Sequence, residues 1–144
     1  MLVKHVMSTA PACCSPDTNL GAVAKLMLEH DCGEIPICDG TKLVGVITDR
    51  DIACRGFLTG KNPLDVPVKD VMTRTVFTIS PDDPIDLALD EMEKYQVRRL
   101  PVVDHSGKVI GMVSQADVVG KVPPAKAVEL LKAISKKVTP AMAL

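Results

Sequence analysis

The chain writes one passage twice. Gly45-Val46-Ile47-Thr48-Asp49-Arg50-Asp51-Ile52 returns as Gly111-Met112-Val113-Ser114-Gln115-Ala116-Asp117-Val118. Upstream, Val6-Met7-Ser8 returns as Val71-Met72-Thr73, and Ser15-Pro16-Asp17 as Ser80-Pro81-Asp82. Ile35-Pro36-Ile37-x-Asp39 returns as Leu100-Pro101-Val102-x-Asp104. The offset is 65 residues from Ser15 to Ser80 and, past one extra residue in the second turn, 66 from Gly45 to Gly111. Two copies at so long a period do not make a solenoid. They make two pseudo-symmetric halves, and whatever is built at the repeated passage is built twice.

Each half reads as β-α-β-β-α. Val76 to Ile79 is a β-prone run closed by Ser80-Pro81. Asp83 is the expected N-cap, with Pro84 first in the helix and Asp86 in its first turn. Ile85, Leu89 and Met92 recur at helical spacing, as do Leu20, Val23 and Met27 in the first half. Hairpins are expected over Ile35–Cys38 and Leu43–Ile47, and over Leu100–Val103 and Val109–Val113, with a helix after each. A single half of this size is marginal alone, and packing the two sheets together relieves that. The expected organisation is residues 1–56, a linker over 57–69 with Gly60, Pro63 and Pro67, residues 70–122, and a helix in 123–144. In that helix Ala127, Leu130, Leu131, Ile134 and Val138 form an apolar stripe, with Lys126, Lys132, Lys136 and Lys137 largely outside it.

Composition closes several doors. The only aromatics are Phe57, Phe77 and Tyr95, so a stacking platform for single-stranded nucleic acid is excluded and the core must be aliphatic. A net charge of −1 gives no attractive field for DNA or RNA, although residues 120–144 hold five lysines against Glu129. No apolar run reaches membrane-spanning length. Five cysteines without a C-x-x-C pair read as reduced thiols, which places the chain in the cytoplasm. Cys54 is expected as a small core filler at the edge of a cleft.

Thr48-x-x-Asp51 and Ser114-x-x-Asp117 admit two compatible readings. One is a capping box, in which hydroxyl and carboxylate each satisfy the other's backbone amide. The other is a ligand site, because carboxylate and helix-start amides sit at a strand end, where a ribose diol and a phosphate are readily held.

The repeated hydrophobic-Met-Ser/Thr opening, the Leu-Pro-Val-Val-Asp strand and the Gly-h-h-Ser/Thr-x-x-Asp-h ending resemble a tandem pair of CBS domains, a Bateman module, over residues 3–120. The resemblance implies an α+β (mixed α/β) fold of two β-α-β-β-α motifs packed sheet to sheet with pseudo-twofold symmetry. It implies a regulatory unit rather than an enzyme, with AMP, ADP or ATP in two clefts and pairing into a homodimer. Carried over by position, Asp51 and Asp117 would hold ribose. Thr48, Ser114, Arg98, Arg99 and Arg50 would face sugar or phosphate, and Thr75, Val76 and Leu100 would seat adenine. The guanidiniums of Arg98 and Arg99 suit phosphate because they stay charged and donate as a fork.

The copies differ where it matters. Gly33-Glu34 stands where the second copy has Arg98-Arg99, and Ala10-Pro11 where it has Thr75-Val76. The expectation is one competent site furnished by Asp117, Ser114, Arg98 and Arg99, leaving the Asp51 cleft weaker, empty or suited to another ligand. Catalytic and metal-binding motifs are lacking: there is no G-x-S-x-G, P-loop or H-E-x-x-H, and His5, His30 and His105 are scattered. The alternatives are a ligand-free scaffold for dimerisation or an unidentified target protein, thiol redox sensing by Cys54 or Cys32, and another adenosyl ligand such as S-adenosylmethionine. The terminal helix would complete the module or dimer through its apolar stripe, dock on a partner protein or lie on an anionic membrane, and docking within the homodimer is preferred.

Overall fold

A computed structural model describes residues 1–136. Lys137 and Val138, expected in the terminal helix, lie outside the described residues. Helix α1 (Leu20–His30) starts where Asn19 accepts the Ala22 amide at 2.9 Å, and it buries Leu20, Val23 and Met27. Asp31, at φ 47°, ends it in the left-handed region. The hairpin β2 (Glu34–Asp39) and β3 (Lys42–Thr48) follows, then α2 (Asp49–Asp51), which runs on through a wider turn to Gly56. The second copy gives α3 (Ile85–Tyr95), β4 (Arg99–Val103), β5 (Val109–Ser114) and α4 (Gln115–Val119). Preceding all of these is the two-residue β1 (Ser8–Thr9).

Two local expectations need correction. Val76 to Ile79 forms no ladder; only Ile79 bridges in parallel to Val102, as Cys14 does to Ile37 in the first copy. Propensity favoured a strand, but Phe77 instead stacks flat on Tyr95 at 3.6 Å and Thr78 is exposed. Asp83 does not cap α3. Its carboxylate accepts the Ser80 amide at 2.9 Å, and Pro84 takes the N-cap position.

The two halves exchange their openings. Val3 is fully buried in the second core with Leu89, Met92, Leu100 and Val113, while Val66, Val68 and Met72 are buried in the first core with Leu20, Ile35 and Ile47. The hydrogen bonds repeat accordingly: Val68 N–H to Thr18 O at 2.7 Å matches Val3 N–H to Asp83 O at 2.9 Å. So do the ion pairs Lys69–Asp17 and Lys4–Asp82. The end of the expected linker is therefore core. β1 pairs with β5 (Ser8 with Met112, Thr9 with Gly111), and Thr73 bridges to Val46. This crossing explains two glycines: a Cβ at Gly111 would stand 2.7 Å from the Ser8 carbonyl oxygen, and one at Gly45 2.9 Å from that of Thr73.

Strand alternation then decides what each side chain sees. Ile35, Ile37 and Ile47, and likewise Leu100, Val102 and Val113, point into the helix-covered cores. The intervening Glu34, Pro36, Val46 and Thr48, and Arg99, Pro101, Met112 and Ser114, line the space where the halves meet. Helix α5 (Pro124–Ile134) completes the second core through Leu130 and Ile134 and also buries Ala127; Leu131, expected in its stripe, is 47% exposed.

Candidate functional site

Both repeated passages fold as capping boxes. Asp117 Oδ2 accepts the Ser114 amide at 2.8 Å and its hydroxyl at 2.9 Å, and the Asp117 amide donates back to Ser114 Oγ at 3.2 Å. Asp51 Oδ2 accepts the Thr48 amide at 3.1 Å, and its own amide donates to Thr48 Oγ1 at 3.0 Å. A second donor reaches Asp51 Oδ2 from the other copy, the Thr73 hydroxyl at 3.3 Å. In each box one carboxylate oxygen carries the cap, and Oδ1 makes no hydrogen bond among the described residues.

Two clefts open beside these boxes, each built from both copies. The Asp117 cleft, about 400 Å³, has walls of Ser8 to Ala12, Glu34, Pro36, Met112, Ser114 and Asp117. The Asp51 cleft, about 370 Å³, has walls of Val46, Thr48, Thr73, Thr75, Val76, Phe77, Val97 and Pro101. Asp51 itself stands behind Thr48 and Thr73, with its side chain 12% exposed. The second cleft suits an aromatic base: mainly apolar walls with a few hydroxyls, the Arg99 guanidinium and the Glu34 carboxylate are what small-molecule sites offer.

The expected residues are thus regrouped. Thr75 and Val76 belong with Asp51 and not with Asp117, because the openings cross over. Leu100 borders neither cleft, since alternation turns it into the core with 0% exposure; its neighbours Arg99 and Pro101 face the cleft instead. Arg98 is exposed and borders neither cleft, but it lines a groove of about 860 Å³ with Arg50 and Lys136. Cys54 is exposed and lines none of these cavities, whereas Cys32 borders the Asp117 cleft. Pro101 and Pro36 carried a readable signal in the repeated Leu/Ile-Pro-Val/Ile strand.

Glu34 and Arg99 occupy equivalent positions in the copies, and each borders both clefts. Burial pushes the Glu34 carboxyl up to about 7; nearby Arg99 pulls it down and Asp51 pushes it further up. Its Oε2 is buried without a hydrogen-bond partner. Burial also pushes the Cys13 and Cys14 thiols up to about 11 and raises Cys38. That disfavours the reactive thiolate.

The family model for the CBS domain matches twice, over residues 3–55 and 68–123. The chain belongs to the CBS domain family. It is 33% identical over 132 residues to hypoxic response protein 1 of Mycobacterium tuberculosis, covering 91% of this chain and 92% of that one. It also resembles the CBS domain pair of protein MJ0100 in complex with 5′-methylthioadenosine and S-adenosyl-L-methionine. There the TM-score is 0.75 at 33% identity, covering 83% of this chain and 98% of that one. A third likeness is CBSX2 in complex with AMP, with a TM-score of 0.72 at 25% identity and coverage of 83% and 93%. Among the described residues of this CBS pair, no helix is long and apolar enough to cross a membrane.

Proposed function

We infer that this CBS pair is a regulatory sensor that binds an adenine nucleotide, AMP, ADP or ATP, between its two halves and transmits occupancy as a change of shape. The observation that carries the reading is the Asp51 cleft. Its apolar wall of Val46, Val76, Phe77, Val97 and Pro101 fits an adenine ring, the hydroxyls of Thr48, Thr73 and Thr75 ring it, and Arg99 offers a guanidinium. Asp51 takes a ribose hydroxyl in place of the Thr73 hydroxyl, and Asp117 is the equivalent carboxylate beside the other cleft. The ligands of MJ0100 and CBSX2, all adenosyl compounds, support the choice of class. Transmission requires that the ligand bind two conformations with different affinity, and a ligand held between two interlocked halves meets that condition when their spacing changes.

Calorimetric titration with AMP, ADP and ATP tests the reading. Saturable heat that weakens at least tenfold in Asp51→Ala supports it, since a hydrogen bond to a charged group contributes about 1.5–3 kcal/mol. Absence of heat with all three nucleotides contradicts it.

A further inference from the structure

Equivalent positions in a duplicated fold would ordinarily furnish the two clefts alike. Here the shared wall holds Arg99 from one copy and Glu34 from the other, so one guanidinium serves two clefts and its counterpart is an acid. Glu34 Oε2, buried and without a hydrogen-bond partner, has no local cation bonded to it among the described residues. The surroundings then diverge. The Asp51 cleft shares Glu34, Thr48, Val97 and Arg99 with the 860 Å³ groove, where Arg50, Arg98 and Lys136 stand against Asp49. In the Asp117 cleft three carboxylates, Asp31, Glu34 and Asp117, face Arg99 and His30. A phosphate would be drawn along the first path and repelled from the second.

Resting on the nucleotide reading above, we propose that the clefts are unequal because Glu34 and Arg99, which border both, are joined by Asp31 and Asp117 on one side and by Arg50, Arg98 and Lys136 on the other. The chain holds one phosphorylated nucleotide, seated in the Asp51 cleft with its phosphates passing Arg99 toward Arg50, Arg98 and Lys136. Glu34 is the residue that keeps a phosphate out of the Asp117 cleft. This reverses the asymmetry expected from the copies read separately, because the crossed openings bring Thr75, Val76 and the basic groove to the Asp51 side.

Calorimetry of the full chain with ATP, and with adenosine as the phosphate-free probe, tests the assignment. ATP binds with one equivalent per chain. Arg98→Ala and Lys136→Ala, both at exposed positions, weaken ATP at least fivefold and leave adenosine within twofold. Asp117→Ala leaves ATP within twofold. Glu34→Gln admits a second equivalent of ATP, and adding Asp117→Ala to that variant removes it. Two equivalents of ATP in the unmodified chain overturn the inference and leave the nucleotide reading standing. So does a single equivalent lost in Asp117→Ala, or a Glu34→Gln variant that still takes one. No binding of ATP or adenosine overturns the nucleotide reading and this inference together.

Discussion

The Thr73 hydroxyl donates to Asp51 Oδ2 across 3.3 Å, tying the opening of the second copy to the capping box that closes the first. The backbone repeats the tie, with Val46 and Thr73 exchanging both amide–carbonyl bonds at 2.9 and 2.8 Å. Each cleft is therefore a joint between copies, and stability of the joint and occupancy of the cleft draw on the same contacts.

Closing that joint requires bare backbone at Gly45 and Gly111. Gly111→Ala forces its Cβ against the Ser8 carbonyl and the Met7 sulfur, both 2.7 Å away. Denaturant unfolding is expected to show a loss of about 1–3 kcal/mol, and Gly45→Ala a similar one. Gly40→Ala, where nothing lies within 4 Å but φ is +64°, isolates the cost of backbone strain alone. Equal losses at all three glycines would contradict the close approach.

The exchanged openings predict cooperative unfolding. Val3→Ala removes a fully buried side chain from the core of the second copy and Val68→Ala one from the first. Each costs about 1–3 kcal/mol, yet both lower a single transition. Separate transitions, with each variant affecting only one, would mean that the halves fold independently.

Glu34 predicts a pH-dependent term. Its folded value of about 7 lies above the ordinary 4.5, so the folded chain holds the proton more tightly than the unfolded chain. The penalty is absent below 4.5, grows between 4.5 and 7, and is complete above 7. Arg99 opposes the shift and Asp51 adds to it, while Asp31, Asp117 and His30 share the cavity. Glu34→Gln is expected to be more stable than the parent by roughly 1–3 kcal/mol at pH 8, with the gain vanishing near pH 4.5. A difference that stays constant across that range would remove Glu34 as its source.

Thiol chemistry should separate Cys13 and Cys14 from Cys54, although Cys13 is, like Cys54, exposed at the surface. With Cys13 and Cys14 near 11, their labelling by a thiol reagent at pH 8 is expected to be about 100-fold slower than that of an ordinary cysteine. Exposed Cys54 provides the fast reference within the same chain. Rapid modification at Cys13 would contradict the raised thiol value.

Much of this was local and hence readable. Leu20, Val23 and Met27 at helical spacing, the two hairpins and both capping boxes depend on neighbours within a few residues. The grouping of the site was not local. Thr75 and Val76 follow the second copy's opening in sequence but stand against the first copy's Thr48, and no spacing within a copy reveals which hairpin its opening will cross. Leu100 is different, because strand alternation alone assigns it to the core once Arg99 and Pro101 are given the cleft. Asp83 shows rival local chemistries: its carboxylate is as well suited to the Ser80 turn as to a helix start, and the turn wins.

The central claim is a ligand pocket formed jointly by both copies, and thermal unfolding with added ligand tests it most directly. A ligand present at 100 times its dissociation constant and specific for the folded state stabilises it by about 2.7 kcal/mol. AMP, ADP or ATP is therefore expected to raise the melting temperature by several degrees, with the shift much reduced in Asp51→Ala. An unchanged melting temperature with all three nucleotides, at millimolar concentration, would contradict the account.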